Sequence, residues 1–113
     1  MASHSSSFSP SSTLTTFRSY QLSLEFHALV STLPCAGYLR SQLLRASSSV
    51  CLNLAEGCGK DSPLDRRRSY LIALGSLREV QAVMDLTPST PDHIRSMGSK
   101  LGAYIYRLTH PRV

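Results

Sequence analysis

The chain has 113 residues and a formal net charge of +5 at pH 7, a length that allows one domain and a sign that favours anionic partners without choosing among them. No stretch approaches a transmembrane span, so no membrane partner and a cytoplasmic location are the expectations.

Residues 1–16, MASHSSSFSPSSTLTT, contain no Asp, Glu, Lys or Arg. They are Ser/Thr-rich and lack the charged start and apolar run of a signal peptide, so they read as a disordered leader. The remaining span, 17–110, reads as the folded domain.

The first helix is predicted from about Phe17 to Leu33. Leu22, Phe26, Leu29 and Leu33 form its core stripe. Phe17, Tyr20, Leu24 and Ala28 form a second apolar stripe on the opposite side. Pro34 and Gly37 break the chain. The next helix, Tyr38 to Lys60, is the longest periodic stretch. At about 100° per residue, Leu39, Leu43, Ala46, Val50 and Leu54 make one stripe. Leu44, Cys51 and Ala55 make a second, and Gln42, Arg45, Ser49, Asn53 and Glu56 a third, polar one. Gly57 and Gly59 are read as its stop, because glycine accepts the left-handed C-cap conformation.

Ser62-Pro63-Leu64-Asp65 is a complete start signal: a capping serine, proline at the first helical position and an acid three residues after the cap. The third helix is expected to reach Leu86, with Tyr70, Ala73, Leu74, Leu77, Val80, Gln81 and Met84 inward and Leu71, Ile72 and Val83 elsewhere on its circumference. Pro88 stops it. Thr90-Pro91-Asp92 repeats the start signal with Thr90 as cap. The fourth helix carries Ile94, Met97, Leu101, Tyr104, Ile105 and Leu108 on one side and ends at Pro111.

Four long helices with short connections and no competing strand pattern define an all-α class, an antiparallel up-down four-helix bundle. Recurrent small residues, Ser47 and Ser48, Gly75 and Ser76, Gly98 and Gly102, are expected to serve close helix packing. Two of the helices are apolar twice. A monomeric bundle would leave Phe17, Tyr20, Leu24 and Ala28, with Leu44, Cys51 and Ala55, in water, so these residues are the expected subunit interface of a closed homo-oligomer. A helix central to a monomer is the alternative, and small bundles have no central helix.

Chemistry is sparsely signalled. There is no phosphate-binding glycine loop, no paired CxxC, no HExxH and no nucleophile elbow. No cofactor or metal is expected. Cys35, Cys51 and Cys58 are odd in number. Cys51 and Cys58 lie about 10 Å apart along one helix axis, too far for a disulfide, so free thiols are expected. His27, His93 and His110 show no ligand spacing. Glu56 could act as a general base, but a lone carboxylate is weak ground for catalysis. Arg45, Asn53, Glu56 and Glu79 are instead expected to form a structural polar network between helices or subunits. Lys60 and the run Arg66-Arg67-Arg68, with Lys100 and Arg107 on the fourth helix, are the candidate nucleic-acid-binding residues.

LPCAGYLRSQLLRASSSVCLNLAEGCGK, followed by RRRSYLIALGSLREVQAVMDL, resembles the bacterial four-helix-bundle family named after proteins encoded in 23S rRNA intervening sequences. The shared elements are Leu33-Pro34, Gln42 to Ser49, Asn53 to Gly57 and Ala73 to Glu79, within a resemblance over about 17–110. It implies a homopentamer of bundles. The chain is also similar to the accessory variability protein of diversity-generating retroelements, which implies nucleic acid and a reverse transcriptase as partners. The expected function is a non-enzymatic, oligomeric, nucleic-acid-associated accessory factor. The alternative from another class is a structural assembly module that binds only protein.

Overall fold

A computed structural model describes residues 17–111; the expected leader, 1–16, lies outside them. The described chain forms α1 (Arg18–Val30), α2 (Gly37–Cys58), α3 (Pro63–Asp85) and α4 (Asp92–Thr109), with no strand among the described residues. Each helix packs on its neighbours in sequence, and α4 closes back onto α1.

Cross-helix contacts descend on one helix as they climb on the next, as an up-and-down order requires. Between α1 and α2, Cys51 Sγ donates to the Ser23 carbonyl (3.4 Å), and His27 Nδ1 lies 2.6 Å from Ser47 Oγ. Between α2 and α3, Arg45 meets Glu79 at 2.9 Å and Ser49 Oγ meets Ser76 Oγ at 2.7 Å. Between α3 and α4, the start of each approaches the end of the other: Arg67 Nε donates to the Thr109 carbonyl (2.8 Å) and Arg95 to the Met84 carbonyl (2.8 Å). The core is one cluster contributed by all four helices, including Phe26, Leu43, Leu54, Leu77, Leu101 and Ile105.

Arginines finish the helix ends. The last carbonyls of a helix have no partner within it. Arg40, in the first turn of α2, donates to the Ser31 and Leu33 carbonyls (2.6 and 3.0 Å), while Arg95 and Arg67 serve the ends of α3 and α4 in the same way. At the front of α3 the Ser62 hydroxyl accepts from the Asp65 N–H (3.1 Å), as the start signal predicts.

Several expectations are corrected. Helix α1 ends at Val30 rather than Leu33, because the Ser31 and Thr32 hydroxyls take the Ala28 and Leu29 carbonyls (2.7 Å each). Thr90 does not cap α4. Its hydroxyl turns back to the Thr87 carbonyl (2.7 Å), and α4 starts after Pro91 with no side-chain cap bond. Gly59 closes α2 in an ordinary right-handed conformation, φ −91°, so no left-handed cap is involved. Val83 is buried on α3, which packs against both α2 and α4.

The stripes expected at a subunit interface are partly used inside the chain. Cys51 is 7% exposed and belongs to the chain's own core. Phe17 and Tyr20 pack half-buried against that core. Leu44 and Ala55 are half-buried, and only Leu24 and Ala28 are exposed.

Candidate nucleic-acid interface

The start of α3 and the end of α4 occupy the same end of the bundle. The Ser62 cap and Pro63 fix where α3 begins, so the arginine run falls in its first turns. Successive helical residues diverge by about 100°, and the run splits accordingly. Arg66 folds back to donate to the Lys60 and Asp61 carbonyls (3.0 and 2.9 Å). Arg67 reaches α4 through the Thr109 carbonyl. Arg68 pairs with Asp65 at 3.5 Å.

Arg66, Arg67 and Arg107 line one groove of about 530 Å³, with Leu64 and Tyr70 among its apolar walls. A second groove of about 450 Å³, between α1 and α4, shares Arg107 and Leu108 with the first and adds Arg18, Phe17 and Tyr104. No carboxylate lines either groove among the described residues. Backbone-directed hydrogen bonds do not neutralise a guanidinium, which keeps its charge at any relevant pH and has five N–H donors. Four cations therefore face two adjoining, partly apolar grooves.

Aromatic rings are interleaved with the charge. The Arg107 guanidinium lies 5.0 Å from the Tyr104 ring centroid, and Lys100 Nζ lies 6.0 Å from the same ring. Phe17 and Tyr70 are 6.0 Å apart, centroid to centroid. Tyr106 and His110 stack at 4.0 Å on the exposed end of α4. Burial is the main cause that pushes the Tyr70 hydroxyl above its ordinary pKa, so it stays a neutral phenol beside the arginines.

The structure thus brings Arg66, Arg67 and Arg107 together and places Lys100 two turns earlier on α4. Arg68 does not join them, and Lys60 is engaged by Glu56 at 3.4 Å. Arg18 was not legible as part of this site. It stands alone after an uncharged leader, and only the closure of α1 onto α4 gives it neighbours.

The polar network also divides. Arg45 and Glu79 form an exposed ion pair. Asn53 Nδ2 donates to the Ser49 carbonyl and hydroxyl (2.9 and 3.1 Å), extending the Ser49–Ser76 link. Glu56 meets no arginine; it is exposed and pairs only with Lys60 among the described residues. The histidines serve locally: His27 bridges to α2 and His110 bonds Thr109 (2.7 Å). Burial pushes the Cys51 and Cys58 thiols up, away from the thiolate that nucleophilic chemistry needs. The described residues hold no group of three metal-ligating side chains, and none of their helices is long and apolar enough to cross a membrane.

The family model described as 23S rRNA-intervening sequence protein matches residues 15–90. That span covers α1 to α3 and stops short of α4, so Arg107 and Tyr104 lie outside it. No curated protein and no solved structure matches the chain significantly.

Proposed function

The chain belongs to the 23S rRNA-intervening sequence protein family, and from that premise we propose that it is a non-enzymatic accessory factor that binds nucleic acid at the α3-start, α4-end face of the bundle. The family description names no reaction, so the site must carry the reading. The supporting observation is the convergence of Arg18, Arg66, Arg67 and Arg107 on two adjoining grooves without a lining carboxylate. Phosphates neutralised there would release condensed counterions, which makes affinity fall with salt. Self-association belongs to the same reading, with five subunits as the number the resemblance implies. A reverse transcriptase is the protein partner implied by the second similarity.

The test is a salt titration of RNA and DNA binding. Arg18→Gln with Arg107→Gln should weaken binding across sequences. The slope of log affinity against log salt should become shallower by roughly 0.7–0.9 for each phosphate that is no longer neutralised. Arg68→Gln, on the other side of α3, should change neither. Undetectable binding at low salt would remove the proposal. The second reading, a module that assembles only with protein, would then stand, and the exposed apolar residues of α2 and α3 favour it.

A further inference from the structure

Arg107 also lines a further groove, between α3 and α4. It holds about 380 Å³ and has Arg78, Gly102, Ala103 and Tyr106 in its walls. No carboxylate lines it among the described residues. The Arg78 guanidinium donates to the Gln81 side chain (3.2 Å). Among the described residues, Arg18, Arg78 and Arg107 form no ion pair. Gly102 gives Arg78 room to lie along α4: a Cβ there would stand 4.0 Å from Arg78 Nη1 and 3.4 Å from the Leu77 side chain.

Arg107 therefore joins the two flanks of α4, sharing one groove with Arg18 and the other with Arg78. Nearer the start of α4 both flanks turn acidic, with Glu25 on the α1 side and Asp85 on the α3 side. The unpaired positive charge is thus a track that crosses α4, from Arg18 through Arg107 to Arg78, over the small, exposed Ala103. Beside the track stands an aromatic stack. The Tyr106 and His110 rings are 4.0 Å apart and 15° from parallel. The imidazole is held there through Nδ1, which lies 2.7 Å from Thr109 Oγ1 and 3.2 Å from the Tyr106 carbonyl oxygen. The stack lies on the outside of the bundle, with Tyr106 50% exposed.

Given the nucleic-acid binding proposed above, on which this rests, we infer that the site takes single-stranded nucleic acid, its backbone on Arg18, Arg107 and Arg78 across α4 and an unpaired base stacked on the Tyr106–His110 pair. Phosphates take the cations, and the base adds a third ring to the stack. A duplex offers no such base, because its base faces cover one another and only base edges reach its grooves. The track also bends around a helix. Duplex DNA is stiff over about 50 nm, whereas a single strand follows such a bend. The apolar walls given by Leu64 and Leu108 suit exposed bases and are of no use to phosphates. Every base has a π-face, so stacking is sequence-tolerant. The site therefore selects strandedness rather than sequence.

The test offers the full chain a mixed-sequence oligonucleotide, single-stranded and as the duplex with its complement, and reads fluorescence anisotropy. The single strand should bind tighter than the duplex. Tyr106→Leu keeps a good helix former at a half-exposed position, so its helical circular dichroism should match wild type. Its single-strand affinity should fall at least about fivefold, the low end for one base–aromatic stack, with duplex affinity and the salt slope unchanged. Tyr106→Phe keeps the ring and should bind as wild type does. Arg78→Gln should make the single-strand salt slope shallower by roughly 0.7, one phosphate's share. A duplex that binds as tightly as the single strand overturns the inference. So does wild-type single-strand affinity in Tyr106→Leu, or an unchanged slope in Arg78→Gln. In those cases binding that still weakens in Arg18→Gln with Arg107→Gln leaves the broader nucleic-acid function standing. Binding of neither form at low salt removes both.

Discussion

Gly57 and Gly59 look alike in the sequence and do different work. Gly57 is helical and lies against Tyr70, whose ring atoms would be 2.5 and 2.8 Å from an added Cβ. Tyr70 is itself buried beside Phe17, so it has little room to move. Gly57→Ala should therefore destabilise the fold by about 1–3 kcal/mol, as overpacking does. Gly59 has an allowed right-handed conformation, and its Cβ would only touch the Glu56 carbonyl at 3.7 Å. Gly59→Ala should stabilise by about 0.4–1 kcal/mol through the unfolded chain. Denaturant melts of the two variants check both signs. Glu56→Gln belongs at this scale too. An exposed i,i+4 pair with Lys60 contributes about 0.3–0.5 kcal/mol, so this variant should melt within that range of wild type; a loss of several kcal/mol would mean a desolvated partner.

Elements were more legible than the contacts between them. The 3.6-residue periodicity and the Ser62-Pro63 start give all four helices, because local propensity and the buried face agree there. Thr90 failed as a cap because carbonyls at the end of α3 and just beyond it, those of Met84 and Thr87, compete for the same hydroxyl. Cys51 was misplaced for a tertiary reason. The serines of α1, Ser19 and Ser23, are buried, so α1 approaches α2 closely enough to cover a stripe that looks free on a helical wheel. The arginines of the candidate site were mostly legible as residues, but their meeting depends on which helix ends share one end of the bundle. The α1–α2 contact has a measurable signature. Cys51 can react only if α1 lifts from α2, and burial holds its pKa up, which lowers the thiolate fraction at any given pH near neutrality. Thiol labelling at about pH 7.5, below the ordinary thiol pKa, should modify Cys51 more slowly than the half-buried Cys35 and Cys58. Ser23→Val, which puts a bulkier, branched side chain at a buried contact and removes the hydroxyl that donates to the Tyr20 carbonyl, should speed it. Equal rates at all three sites would mean that α1 is not docked as described.

At the scale of the whole molecule, the basic grooves lie where α3 begins and α4 ends, while Leu24 and Ala28, the exposed apolar pair expected at a subunit contact, lie on α1 outside both grooves. In the closed homo-oligomer proposed above, rotation about one axis sets the equivalent grooves of all copies at the same height, where a long nucleic-acid strand spans more than one. Binding a second groove on a strand already held is an intramolecular step, and linked sites of this kind gain about 10²–10⁴ in avidity when the strand spans both. An oligonucleotide that fills one groove gains nothing. Leu24→Gln with Ala28→Gln should therefore leave affinity for a short oligonucleotide near wild type. Its affinity for a long strand should fall by at least about tenfold, a lower bound on losing that avidity. Arg18→Gln with Arg107→Gln should weaken both, because each groove is impaired. Fluorescence anisotropy with short and long strands, at one salt concentration, separates the two effects. An equal ratio of long-strand to short-strand affinity in wild type and the Leu24, Ala28 variant would show that assembly through α1 does not couple to binding at the basic end.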